Sequence, residues 1–326
     1  MIRNDVHPSY NPTGDSLATK EANAMWVDSI DILYEEPEYS LFGSNGIGAD
    51  DIFQGSIGDC WFMHGASAVA QKPGRLERIF LNDSLSSNGI YGFQFYVLGV
   101  PMTITIDDSL PLDSNGKAVF AGVSKDGALW GPLIEKAFAK LHGTYESLIA
   151  GSAKHSIEVL SGAPASWYSH GSKNASEIFE MVRAAFRVDG MVSASTPASA
   201  GGDSDLSANG LAQNHLYTVF GAFEVQNQNG QTVQLYKIRN PWGTEGYKGP
   251  YSDSDTANWD MSLQNAVGYY NKDDGFFFID AQTYHAEYGA TSVHVDTTNM
   301  KQSYFLVKDD VSTRNADGPF CGFNNC

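Results

Sequence analysis

The period of hydrophobic and polar positions changes several times along this chain, and those changes divide it. Residues 1–40 are polar and interrupted by Pro8, Pro12 and Gly14, with one amphipathic patch from Trp26 to Leu33; they predict an arm lying against a globular body. Gly43, Gly46 and Gly48 mark a loop between Leu41 and Asp51. From Cys60 to about Gln71 the pattern predicts a helix, stopped by Lys72-Pro73-Gly74. Ile90 to Leu98 and Val100 to Asp107 alternate in polarity and are aromatic or β-branched, so with Gly99 between them they predict a hairpin. Leu133, Ile134, Ala137, Phe138 and Leu141 recur at helical spacing, with Pro132 tolerated in the first turn.

The second half has another character. Asn174 and Glu177 open a helix whose Ile178, Phe179, Val182 and Phe186 form one face, ending before Gly190. A loop of small residues from Thr196 to Asn209 follows. His215 to Val225, Thr232 to Arg239 and Gly275 to Asp280 then read as strands. The pattern predicts an α+β chain with no internal repeat and a boundary near residues 165–175. A helix-rich subdomain covers residues 41–168 and an antiparallel β-rich subdomain covers 169–300. They are flanked by an N-terminal arm (1–40) and a C-terminal tail (301–326).

Composition narrows the function classes. The 326 residues suffice for two lobes sharing a cleft, and 42% hydrophobic with 12% aromatic content suffices for a buried core. A net charge of −18 argues against nucleic acid or an anionic membrane as partner, since both require a cationic face. Three cysteines, Cys60, Cys321 and Cys326, are too few for a secreted disulfide scaffold. The N-terminus shows no apolar run resembling a signal sequence, and no stretch reaches the length of a membrane span. The expectation is a soluble, cytoplasmic protein with no membrane insertion and with room for a cation-binding role.

Candidate chemistry begins at Gln54-Gly-Ser-Ile-Gly-Asp-Cys-Trp-Phe62. A thiol in the first turn of a helix meets aligned backbone N–H groups, which favour the nucleophilic thiolate. Gln54, six residues earlier, can turn its amide back beside the sulfur and form a two-donor oxyanion hole with the Cys60 N–H. A lone cysteine on such a helix also reads as a small buried hydrophobe. A nucleophile needs a base and an orienting group. His215 and Asn240 follow Cys60 by 155 and 180 residues, the order of a Cys–His–Asn enzyme, at spacings somewhat beyond the roughly 130–150 of papain-like chains. Asn240 would accept an imidazole N–H and fix its tautomer, while Trp242 would shield that bond from water.

From about Leu41 to Asp280 the chain resembles the protease core of the calpain family. The likeness rests on the nucleophile segment and on Asp107-Asp-Ser-Leu-Pro111. It rests further on Leu129-Trp-Gly-Pro-Leu-Ile-Glu-Lys-Ala-Phe-Ala-Lys-Leu-His-Gly-Thr-Tyr-Glu146, on Arg239-Asn-Pro-Trp-Gly243 and on Trp259. The resemblance implies a papain-like core of two subdomains with the active-site cleft between them, and limited proteolysis of protein substrates by the four residues named. It also implies substrate contacts at Gly151 and Trp242. The family usually has a glycine before its histidine, and here Asn214 stands there, presenting a side chain to the substrate. Of the family's two calcium sites, Asp51 matches a ligand of the first, and Asp253 and Asp274 match ligands of the second. Ala128, Gly246 and Phe276 stand where glutamates are expected, and Ala49 replaces an arginine that links the subdomains. Both sites are thus depleted, no cofactor is required, and any accessory regulator is unidentified. The alternatives are a catalytically silent scaffold of the same family, another Cys–His acyl transferase, and a calcium-binding module.

Overall fold

In the computed structural model of the chain, residues 25–28, 39–49 and 51–297 are described; most of the expected arm and all of the tail over 301–326 lie outside them. The first lobe is built on helix α1 (Cys60–Ala70), buried on nearly every side. Small residues permit this: a Cβ on Gly65 would lie 2.2 Å from Ser156 Oγ, so glycine lets helix α3 (Ala153–Ser161) pack directly against α1. Helix α2 (Trp130–His142) supplies Phe138, whose ring stacks on Phe62 at 4.0 Å. Strands β2 (Ile90–Val97) and β3 (Val100–Asp107) form the expected hairpin. Its two turn residues, Leu98 and Gly99, have φ of 51° and 80°, the left-handed geometry of a tight two-residue turn. Strand β1 (Met25–Asp28) pairs antiparallel with β4 (Ser109–Leu112), so this part of the arm does lie on the body.

The second lobe is a six-stranded antiparallel sheet. In chain order its strands are β5 (Ala165–Ser169), β6 (Met191–Ser195), β7 (Leu216–Gln226), β8 (Thr232–Arg239), β9 (Phe276–Asp280) and β10 (Ala290–His294), arranged β5-β10-β6-β7-β8-β9. Helix α4 (Ala175–Phe186) opens with a capping box in which Asn174 and Glu177 satisfy each other's backbone N–H groups. Its Ile178, Phe179 and Val182 pack on the sheet with Val192, Tyr236 and Ile238. Two short helices, α5 (Met261–Val267) and α6 (Ala281–Glu287), complete the lobe. Because β5 already belongs to this sheet, the lobes change over just before Ala165, at the left-handed Gly162 that ends α3.

The lobes meet where α1 crosses β7. Thr218 Oγ1 donates to the His64 carbonyl at 2.9 Å and Gln71 Nε2 to the Val219 carbonyl at 2.8 Å. Arg239, fully buried, donates to the Ile52 carbonyl at 2.9 Å. No helix among the described residues is long and apolar enough to cross a membrane.

Candidate active site

Cys60 is the first residue of α1, half-buried at the mouth of the interlobe cleft. The N-cap residue, Asp59, makes no side-chain cap, so the helix start keeps N–H groups without intrahelical acceptors. The N–H groups of Leu216 and Trp61 donate toward the Cys60 sulfur. Upstream, a Cβ on Gly55 would stand 1.9 Å from the Phe120 carbonyl oxygen, which only glycine allows.

His215 immediately precedes β7 and Asn240 immediately follows β8. These strands are paired with Thr218 opposite Arg239, so the two residues arrive together at one end of the sheet. Asn240 Oδ1 lies 3.0 Å from His215 Nε2 and also accepts the Trp242 backbone N–H at 3.1 Å. An atom accepting a backbone N–H is the amide oxygen, so Nε2 must carry the imidazole proton and donate it. Nδ1 is therefore the unprotonated nitrogen; it is buried and has no hydrogen-bond partner. The Trp242 ring packs on the imidazole with centroids 4.4 Å apart. The Asn240–Gly243 turn docks on the first lobe: Gln54 N–H donates to the Pro241 carbonyl at 3.3 Å, and a Cβ on Gly243 would reach the Phe53 ring at 2.7 Å.

Burial pushes the Cys60 thiol up to about 12, outweighing the N–H groups of Leu216 and Trp61, with Asp59 and Asp203 adding to the rise. Burial also holds His215 down to about 4, against the hydrogen bond it donates to Asn240. Each charge alone is thus disfavoured. Proton transfer from sulfur to Nδ1 creates both at once, and two opposite charges about 4 Å apart recover about 4 kcal/mol at an effective dielectric near 20. With Nδ1 unpartnered, the Cys60–His215 hydrogen bond is not formed in this state, which is common before substrate enters such sites.

Cys60, His215, Gly151 and Asn214 all line one cleft of about 640 Å³. Gly151 packs against Trp61, where a Cβ would be 2.2 Å from the indole. Asn214 has φ of 49°, left-handed geometry that asparagine tolerates better than most residues. Trp242 covers the His215–Asn240 bond and is not among the cleft-lining residues. Gln54 Nε2 donates to the Ile57 carbonyl at 2.7 Å, leaving its second amide hydrogen for another acceptor. Two charged cleft residues, Lys154 and Asp203, are missed by sequence reasoning. The sequence signal for Asp203 is weak: it is one of two aspartates, with Asp205, in a loop rich in small residues.

The expected cation ligands fall in two places. Asp253 and Asp274 lie with Glu245 and Asp273, and burial together with the Asp253 carboxylate raises Glu245 to about 8. Asp51 accepts the Gly48 N–H at 2.6 Å and the Trp130 indole N–H at 3.4 Å. Asp51 and Asp274 line one cavity of about 220 Å³ between the lobes, together with Lys125 and Lys272. Calcium wants roughly six to eight oxygens. Among the described residues no group of three or more His, Cys, Asp or Glu is arranged to hold a metal, and the cavity's lining sets the two lysines beside Asp51, Asp126 and Asp274. These residues do not fit the cation well.

The family model described as "Calpain family cysteine protease" matches residues 6–294. The chain is similar to calpain-13 of Rattus norvegicus, 30% identical over 266 residues, which are 81% of this chain and 39% of that one. It is similar to the calpain-1 catalytic subunit of Homo sapiens, 29% identical over 303 residues, 88% of this chain and 41% of that one. Calpain-9 of Mus musculus is 32% identical over 254 residues, 76% of this chain and 36% of that one. The chain thus spans about two-fifths of the length of these relatives. Among solved structures, the SERA5 proenzyme of Plasmodium falciparum aligns over 40% of this chain and 31% of its own, at 13% identity and a TM-score of 0.23, too low to bear on the fold.

Proposed function

From the premise that the chain belongs to the calpain family of cysteine proteases, with the α+β, papain-like core of that family, we propose that it is a cytoplasmic cysteine endopeptidase acting through Cys60, His215, Asn240 and Gln54. The observation that carries the mechanism is the double acceptance by Asn240 Oδ1, which leaves His215 Nδ1 bare as a general base.

In the proposed reaction the Cys60 proton passes to Nδ1 and the sulfur bonds to the peptide carbonyl carbon. The carbonyl electrons move onto oxygen, which meets the Cys60 N–H and the remaining amide hydrogen of Gln54. Collapse breaks the C–N bond, and the imidazolium returns its proton to the departing amine nitrogen. A water then attacks the thioester, giving a proton to Nδ1, and Cys60 leaves as the thiol. Gly151 and Asn214 receive the substrate backbone, and the substrates are protein segments able to enter extended. Calcium has no required part, because the donor set fits it poorly.

The test is labelling with a neutral, thiol-directed peptidyl epoxide followed by mapping of the modified residue. Modification confined to Cys60, with peptidase activity abolished in Cys60→Ser, is expected. Native-rate cleavage by Cys60→Ser would overturn the assignment.

A further inference from the structure

The cleft carries two charged side chains, one from each lobe. Lys154 stands in the first turn of α3, and Asp203 sits in the loop between β6 and β7, within a single helical turn, Gly202–Ser204. Among the described residues, Asp203 makes no hydrogen bond or ion pair. The neighbouring carboxylate behaves differently. Asp205 is fully engaged, accepting from Ser199 Oγ and from the Gly201 N–H at 2.9 Å. A Cβ on Gly201 would collide with that carboxylate at 2.3 Å, and Gly202 takes φ of 65°. The loop is therefore pinned by one aspartate and presents the other to the cleft. Asp203 lines the same cleft as Cys60 and His215, so it faces the space a bound substrate segment would occupy.

Taking the cysteine-endopeptidase reading as given, we propose that Asp203 is a specificity residue that receives a lysine or arginine side chain of the substrate beside the scissile bond. A half-buried carboxylate without an internal partner is best satisfied by a cation arriving from outside, and an arginine fork matches its geometry. An acidic side chain in the same place meets repulsion from Asp203. The chain's net charge of −18 also draws cationic peptides, but this acts at every position of the substrate alike. Asp203 makes the preference local to one flanking position.

The experiment compares kcat/KM for matched peptides carrying Lys, Arg, Gln or Glu at one flanking position at a time. The enzymes are the wild type, Asp203→Asn, Asp203→Lys, and Asp113→Asn as a control on another half-buried carboxylate, one that does not line the cleft. At one position the wild type should favour Lys and Arg over Glu by about fivefold, the scale of a partly exposed ion pair. Asp203→Asn should remove that preference, Asp203→Lys should invert it, and Asp113→Asn should keep it. An unchanged Lys-to-Glu ratio in Asp203→Asn, or an equal loss in Asp113→Asn, would overturn the proposal. Binding of the same peptides to Cys60→Ala, read by fluorescence polarisation, reports the charge preference without turnover. Preference without hydrolysis by the wild type would overturn the protease reading alone, and hydrolysis without preference would overturn only the role of Asp203.

Discussion

The carboxyl groups of Asp59 and Glu135 face one another directly beneath the nucleophile, with Asp59 fully buried and Glu135 only 1% exposed. Glu135 accepts the Ala121 N–H, and among the described residues no other side chain donates to the Asp59 carboxyl. Two such groups in contact need a proton between them. The consequence falls on Cys60, whose thiolate an ionised Asp59 would oppose.

Stability should therefore fall with rising pH through this pair. Burial raises Asp59 to about 7 and lifts Glu135 well above the usual carboxylate range. The folded chain thus binds more protons than the unfolded chain. The pair's contribution is complete below the ordinary carboxyl range, about 3.8, and is lost as the pH climbs through about 7. Glu135→Gln keeps a donor for Asp59 and an acceptor for Ala121 without titrating. Melting temperatures at pH 5 and 8.5 should converge in this variant, while the wild type should lose at least about 2 °C more, roughly what 1 kcal/mol is worth in a chain of this size. Equal pH dependence in the two would show that no proton is shared there.

Gln54→Ala should lower kcat by about 10²–10³-fold with little change in KM, the usual loss when one oxyanion donor is removed. Because Gln54 already donates to the Ile57 carbonyl, a defect confined to KM would show that its amide braces the loop instead.

Asn240→Ala should cost less, about tenfold in kcat, a fraction of the roughly 10²–10⁴ that a positioned general base contributes. The imidazole would lose the acceptor that holds its proton on Nε2, but the Trp242 ring 4.4 Å away would still confine it. Asn240→Asp restores an acceptor and should recover most of the loss. A full loss of activity in Asn240→Ala together with a lower melting temperature would mark Asn240 as part of the interlobe packing.

The long elements and the ends of their strands are legible because they carry local signals. The capping pair Asn174 and Glu177, the Leu98–Gly99 turn and the period through Leu133 to Leu141 each write a structure in a few residues. His215 and Asn240 are legible for the same reason, since each stands beside a recognisable strand. Strands β5, β6 and β10 escape notice because their five residues are largely small or polar, unlike the equally short but aromatic β9, and β10 is defined only by its two distant partners. The Asp59–Glu135 contact and the presentation of Asp203 are tertiary facts. No spacing in the sequence announces that residues 76 positions apart bury their carboxyl groups together, or that one loop aspartate is engaged while its neighbour is not.

Peptide hydrolysis in chelator and in excess calcium should differ by less than about tenfold. A calcium requirement would need the cation to draw the lobes together, and hydrogen bonds from Thr218 to His64, Gln71 to Val219 and Arg239 to Ile52 link them directly through protein groups. The cation would also have to displace what now satisfies its expected ligands. Asp51 would give up the Gly48 N–H, and Asp274 would part from the Lys272 ammonium 3.6 Å away. The opposing pull comes from Glu245, whose carboxyl is held up near 8 beside Asp253 and has one buried oxygen with no partner. That group would gain from a cation, but its coordinating neighbours Asp253 and Asp273 each already accept a backbone N–H, from Lys272 and Glu245. Lys272→Ala removes the competing ammonium, so it should increase whatever calcium response exists. Activation of the wild type by about a hundredfold, worth roughly 2.7 kcal/mol, would overturn this expectation and make Glu245 the ligand to mutate next.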